Sequence, residues 1–301
     1  MTRDEAGFIS LGGRRLAIRR IGDWGPDDAV LVFLHEGLGS ISMWRDFPEA
    51  LARRTGLSAL VYDRLGYGRS DPARQPWSPD FLEVEARDVL PALLAATGVH
   101  HPLLVGHSDG GTIALMFAAA FPASPLACVT LAAHVVLEPR TIEGIEALAE
   151  RWRVDSDFRR RLSRHHEAAD DLVRAWLEVW LGHAPRGWSM LDDLARITCP
   201  ILAIQGELDE HGTLAQIDAI TTRVSGPAEA AILPDCGHVP HLEQQEEVLA
   251  AMADFIGSLK GASTLKNSSA VPGERRRRGR AEELVTRVVP IDMSTEQERG
   301  M

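Results

Sequence analysis

Short, wholly apolar runs alternate along this chain with longer stretches in which apolar residues recur at helical spacing. The runs Ala29 to Leu34, Ala59 to Tyr62, Leu103 to Val105, Ala127 to Leu131, Ile201 to Gln205 and Ala230 to Leu233 are mostly bounded by Gly, Pro, Asp or His. They read as buried strands. Helical patterns occupy roughly 42–54, 80–97, 109–121 and 213–224, and a last one at 242–259 follows the final strand. Strand and helix in alternation predict an α/β fold, a mostly parallel central sheet with flanking helices. Ahead of it, Phe8 to Leu11 and Leu16 to Ile21 flank Gly12-Gly13 and predict a leading hairpin.

One interval breaks the rhythm. Between the strand ending at Leu131 and the one opening near Pro200 the chain is far longer than a single crossover needs, and it carries several amphipathic helical patterns. Residues 136–197 are therefore expected to form an inserted helical cap on a core made of 1–135 and 198–261. After Gly261 the apolar periodicity gives way to Ala262-Ser263-Thr264-Leu265-Lys266-Asn267-Ser268-Ser269, and 262–301 reads as a flexible tail with the basic cluster Arg275 to Arg278. That cluster in a Ser, Gly and Pro context is expected to be solvated rather than a binding patch.

Composition narrows the function classes. The 301 residues are 45% hydrophobic and 25% charged, an ordinary globular balance. A formal charge of -11 argues against a general nucleic-acid binder, whose phosphate contacts need a basic face. The longest apolar stretch, Ile113 to Phe121, is far shorter than the roughly 20 residues of a bilayer span, so no membrane association is expected. The first twenty residues carry no apolar block of the secretory kind, which predicts a cytoplasmic chain. Cys128, Cys199 and Cys236 are too few and too scattered for a disulfide framework or a zinc site. The expected partner is a small-molecule substrate, with room for a homodimer.

Chemistry concentrates at strand ends. Leu103-Leu104-Val105 runs into Gly106-His107-Ser108-Asp109-Gly110-Gly111 and then into a helical pattern, so G-x-S-x-G stands at a strand-to-helix turn. Such a turn presents the serine hydroxyl at its tip and at a helix N-terminus, where a developing oxyanion is favoured. A glycine-rich turn with a serine cap is the plainer alternative for the pentapeptide alone. Strand Ile201 to Gln205 leads to Glu207, Asp209 and Glu210, and strand Ala230 to Leu233 leads to Asp235, His238 and His241. A nucleophile, an acid and a base thus follow strand ends in the order Ser108, Asp209, His238.

On these residues the segment from about 8 to 260 resembles the α/β-hydrolase superfamily. Leu34-His35-Glu36-Gly37-Leu38-Gly39-Ser40 is similar to the family's His-Gly oxyanion loop, and Asp63-Arg64-Leu65-Gly66-Tyr67-Gly68-Arg69-Ser70 to its D-x-R-G-x-G-x-S turn. Glu36 stands where the family usually has glycine, and Leu65 separates the usual Arg-Gly pair. The resemblance implies an oxyanion hole built from backbone amides, here those of Gly37 and Asp109, with Glu36 as the alternative to Gly37.

Rivals exist at each position. Glu210 competes with Asp209 by a one-residue slip, and His241 with His238, though Pro240 puts His241 at the start of the last helix. Asp109 either complements the helix dipole or attracts a cationic substrate group. His35 reads as a strut, and the adjacent pairs His100-His101 and His165-His166 lack the spacing of a helical metal clamp. Trp176 and Trp180 share one face at i, i+4 and are candidates to roof a pocket suited to an apolar or aromatic acyl group.

The expected activity is serine hydrolysis of a small ester, thioester or lactone, with no cofactor and no metal. Its base is expected to titrate at about 6 to 7. A carbon-carbon bond hydrolase and a cofactor-free perhydrolase use the same triad, and a catalytically silent binding protein is the non-enzyme alternative.

Overall fold

In a computed structural model, residues 4–183 and 186–261 are described. The expected tail at 262–301 lies outside them. Eight strands form one sheet: β1 (Asp4–Leu11), β2 (Arg14–Ile21), β3 (Ala29–Leu34), β4 (Ser58–Tyr62), β5 (His101–His107), β6 (Ala127–Leu131), β7 (Ile201–Gly206) and β8 (Ala228–Leu233). Their order across the sheet is β1-β2-β4-β3-β5-β6-β7-β8, with the β1–β2 and β2–β4 pairs antiparallel and the other five parallel. The leading hairpin turns on Gly12 and Gly13, both at positive φ, which suits the tight turn that a twisted hairpin needs.

The sheet is central because its inner strands, β3 to β7, are buried on both faces. Along β3, Val30, Val32 and Leu34 enter one buried cluster while Leu31 and Phe33 enter the other. Helices cover both faces: α1 (Phe47–Thr55), α2 (81–97) and α3 (Asp109–Ala120) before β6, then α7 (Ala215–Arg223) and α8 (Gln245–Gly261) flanking β8. The single helix expected at 80–97 is interrupted by a π turn at Glu85–Val89. Pro91, in the next turn, has no N–H to donate back along the helix, and the wider turn absorbs that break.

Between β6 and β7 lie α4 (Pro139–Val154), α5 (Ser156–Leu162) and α6 (Ala169–His183). On α6 the residues Leu172, Val173, Trp176, Val179 and Trp180 are buried, an unbroken stripe at helical spacing. The insertion is pinned at its neck, where Leu137 N–H donates to the Trp188 carbonyl (3.0 Å) and Met190 N–H to that of Val135 (2.8 Å). His166, between α5 and α6, ties it to the body: Nδ1 accepts from Gly68 N–H and Nε2–H donates to the Leu38 carbonyl, each at 2.9 Å.

The cysteines are less scattered than their numbering suggests. Cys128 and Cys199 are both free, yet their sulfurs lie 3.9 Å apart. β6 and β7 are neighbours with Cys128 opposite Ile201, so the long insertion separates the two residues in sequence but not in space.

Candidate active site

The sheet delivers every candidate residue to one edge. β3, β5, β7 and β8 are parallel, so Gly37, Ser108, Asp209 and His238 all follow strand carboxyl ends on the same edge of the sheet. Ser108 sits between β5 and α3 at φ 50°, ψ -118°, a strained conformation for a residue with a side chain. The turn is possible because its flanks are glycines. A Cβ on Gly106 would lie 2.2 Å from the Gly110 carbonyl oxygen, and one on Gly110 would lie 2.0 Å from that of Leu34. Ser108 N–H donates to the Leu131 carbonyl at 2.8 Å, which anchors the turn to β6.

Three side chains form a hydrogen-bonded chain there. Asp209 Oδ1 lies 2.8 Å from His238 Nδ1, and His238 Nε2 lies 3.0 Å from Ser108 Oγ. Asp209 accepts only, so the imidazole proton belongs on Nδ1 and Nε2 accepts from the serine hydroxyl, an assignment made from the partners. The same carboxylate accepts backbone N–H groups of His211 (2.8 Å) and Gly212 (3.2 Å). Burial works against its charge, but His238 and the His211 amide outweigh it and hold the carboxyl below its ordinary pKa. Burial dominates at His238 instead and pushes its pKa down to about 3, despite the opposing pull of Asp209. That lies well below the range expected from the sequence, and it leaves the imidazole neutral and free to accept a proton.

The rivals go elsewhere. Glu210 is exposed at the edge of the cavity over Ser108, and its carboxylate pairs with the His211 ring at 4.0 Å and not with His238, whose Nδ1 meets Asp209, so the register of the acid loop selects Asp209. His241 is buried in the short helix Pro240–Glu243, tilted against Trp44 with ring centroids 4.6 Å apart. His35 is a fully buried strut: its Nε2 accepts Arg64 N–H at 3.1 Å and its Nδ1–H donates to the Glu36 carbonyl at 2.8 Å.

Asp109 is 2% exposed and its charge is used internally. Trp176 Nε1 donates to its Oδ2 at 2.9 Å, and Arg64 Nη1 approaches the same oxygen at 3.9 Å. Burial raises the Asp109 pKa against these two partners. The carboxylate thus joins the insertion to the body and is not free to capture a cationic substrate.

A cavity of about 230 Å³ opens over Ser108. Gly37, Asp109, Trp176 and Trp180 all line it, together with Leu38, Met43, Ile145 and Leu148. Glu36 lines it as well, so the residues on both sides of the alternative for the oxyanion amide face this space. His134 and His211 also line the wall, with His134 Nε2–H donating to the His211 carbonyl at 3.0 Å. Sequence reasoning passed over both, although each follows a strand end, the same signal that located Asp209 and His238. A second cavity of about 370 Å³ is walled by Arg64, Tyr67, Trp77 and Phe81 and holds no serine–histidine pair. Among the described residues no group of three or more His, Cys, Asp or Glu is arranged to hold a metal ion, and no helix is long and apolar enough to cross a membrane.

The model of the alpha/beta hydrolase family matches residues 31–251. The chain belongs to the alpha/beta hydrolase family. Among curated relatives, the serine hydrolase BPHL of Homo sapiens is 28% identical over 208 residues, covering 66% of this chain and 69% of that protein. A bifunctional esterase/perhydrolase DCH of Acinetobacter calcoaceticus is 34% identical over 113 residues, 38% of this chain and 40% of the relative, so that match spans less than half of either protein. Among solved structures, a 2-hydroxy-6-oxo-6-phenylhexa-2,4-dienoate hydrolase from Rhodococcus sp. strain RHA1 superposes with a TM-score of 0.68 at 16% identity, covering 87% of this chain and all of that one. At that identity the likeness establishes the shared hydrolase fold.

Proposed function

We propose that this alpha/beta hydrolase is a serine hydrolase that cleaves a small ester, thioester or lactone through an acyl-enzyme. One observation carries the reading: the unbroken hydrogen-bonded chain from Asp209 through His238 to Ser108 at the floor of an apolar cavity. Ser108 attacks the carbonyl as His238 takes its proton, and the imidazolium then returns that proton to the leaving group. Asp209 fixes the tautomer and stabilises the charged ring. Water repeats the cycle on the acyl-enzyme. The amides of Gly37 and Asp109 stabilise the oxyanion, with Asp109 at the N-terminus of the twelve-residue helix α3. The pocket's apolar roof of Ile145, Leu148, Trp176 and Trp180 suits a hydrocarbon or aromatic acyl group. His238, Asp209 and Ser108 need no cofactor for this chemistry.

A panel of aryl and alkyl esters, thioesters, lactones and vinylogous diketones, assayed with and without hydrogen peroxide, tests the reading. The expected result is that kcat/KM is greatest for a carboxylic or thiocarboxylic ester or a lactone, with an apolar acyl chain preferred over a charged one. Turnover of the diketones alone would assign carbon-carbon bond hydrolysis instead, and dependence on peroxide would assign perhydrolysis.

A further inference from the structure

Glu36 stands at the pocket edge, and His107 immediately precedes Ser108. Leu34 and Gly106 are opposite each other in the paired strands β3 and β5, so the chain brings these two side chains together just beyond the sheet. His107 is fully buried, with Nδ1 3.4 Å from Glu36 Oε2 and Nε2 2.8 Å from the His238 carbonyl oxygen. A carboxylate and a carbonyl both accept and neither donates. Nε2–H donates to the carbonyl, whereas Nδ1 faces the carboxylate at 3.4 Å without an aligned hydrogen bond, and of its two states only the protonated one is attracted to that charge.

We infer that His107, held as an imidazolium between the Glu36 carboxylate and the His238 carbonyl, is a positioning residue that clamps the oxyanion loop, the nucleophile turn and the histidine loop in one register. The inference rests on Ser108 being the nucleophile, as proposed above. Glu36 adjoins Gly37, His107 adjoins Ser108, and the accepting carbonyl belongs to the base, so one cation fixes the spacing of all three.

The surroundings favour that charge on His107 and on no neighbouring ring. Packed around it are Glu36 from the loop after β3, His238 from the loop after β8, His241 from Pro240–Glu243 and Trp44 from the short turn Ile41–Trp44. Asp209, after β7, adds a favourable field. Burial opposes the charge of His107, but Glu36 and the His238 carbonyl outweigh it and raise its pKa. Burial likewise opposes the Glu36 carboxylate, and His107 holds its pKa well below the usual range. His238 and His241 are both pushed down to about 3, first by burial and further by the nearby His107. Because the clamp exists only while His107 keeps its proton, kcat/KM must fall on the alkaline side as that proton leaves. Removing the Glu36 charge lowers the His107 pKa and moves this fall to lower pH.

The test pairs a spectroscopic readout with a kinetic one. Protein labelled with ¹⁵N-histidine, with His107→Asn used only to assign the resonance, is followed by NMR from pH 5 to 9, alongside kcat/KM on the best ester over the same range. The wild type is expected to show both ring nitrogens of His107 protonated at pH 7. In Glu36→Gln the His107 titration and the alkaline limb of kcat/KM move together toward acid by about one pH unit, a tenfold change in proton affinity. Glu36→Asp, which keeps the charge, holds the limb near its wild-type position. A wild-type His107 that is neutral at pH 7 overturns the inference without any variant. So does a Glu36→Gln protein whose limb does not move, since a merely structural contact alters the thermal midpoint and not the limb. Failure of Ser108 to carry the reaction is recognised separately, because Ser108→Ala would then turn over ester normally while the NMR titration still reports the charge of His107.

Discussion

Ser108 owes its proposed reactivity to position rather than to any acidity of its own. Its hydroxyl is aimed by a backbone turn that only flanking glycines allow, and its proton is drawn to an imidazole whose other nitrogen is occupied by Asp209. Asp209→Asn keeps the shape but presents an N–H to His238 Nδ1, which favours the wrong tautomer. A loss in kcat on the order of 10⁴ is expected, against little change for the exposed Glu210→Gln. Steady-state kinetics of the two variants on one substrate check this, and a damaging Glu210 change would move the acid by one residue. The pH dependence has a definite sign as well. Neutral His238 is the reactive form, and burial lowers its pKa from the ordinary 6.5 to about 3. The acid limb of kcat/KM should therefore lie below about 5, with the profile level between pH 7 and 6. A half-point at 6 to 7 would show that the Asp209 charge outweighs burial.

Among the elements, α6 does the most to build the site although it lies outside the sheet. Its apolar stripe turns Trp176 and Trp180 onto the cavity, and the Trp176 indole packs so closely on Gly37 that a Cβ there would lie 2.4 Å from Nε1. Trp176 N–H is also the near partner of the buried Asp109 carboxylate, which otherwise has Arg64 at 3.9 Å. Trp176→Phe retains an aromatic roof but deletes that donor. Hydrogen bonds to charged groups contribute about 1.5–3 kcal/mol, so a loss of stability of that order is expected in denaturant unfolding. An unchanged midpoint would mean that Arg64 alone satisfies the carboxylate. The π turn in α2 has a counterpart reason: it sits where Glu85 is buried and accepts the Tyr62 hydroxyl at 2.8 Å, a contact that helical periodicity does not reveal.

For the whole molecule, what could be read in advance was what depends on chain order. Six apolar runs located β3 to β8 to within two residues at either end, and the rule that sites follow parallel strand ends pointed to Ser108, Asp209 and His238, the candidates that the fold joins in one hydrogen-bonded chain. What could not be read depends on which strands are neighbours and where the insertion folds back. The meeting of Glu36 with His107 requires β3 beside β5, that of Cys128 with Cys199 requires β6 beside β7, and those of Trp176 with Asp109 and His166 with Gly68 require the insertion to close over the sheet. No spacing along the sequence encodes these contacts.

Whether Ser108 is the nucleophile of a hydrolase is decided by intact-mass and peptide mapping after reaction with a fluorophosphonate. One adduct per chain is expected, on Ser108, with activity lost in proportion to labelling, and no adduct on Ser108→Ala, whose kcat should fall by several orders of magnitude. An adduct elsewhere, full activity in the labelled protein, or a Ser108→Ala variant retaining roughly a tenth of wild-type kcat would contradict that role.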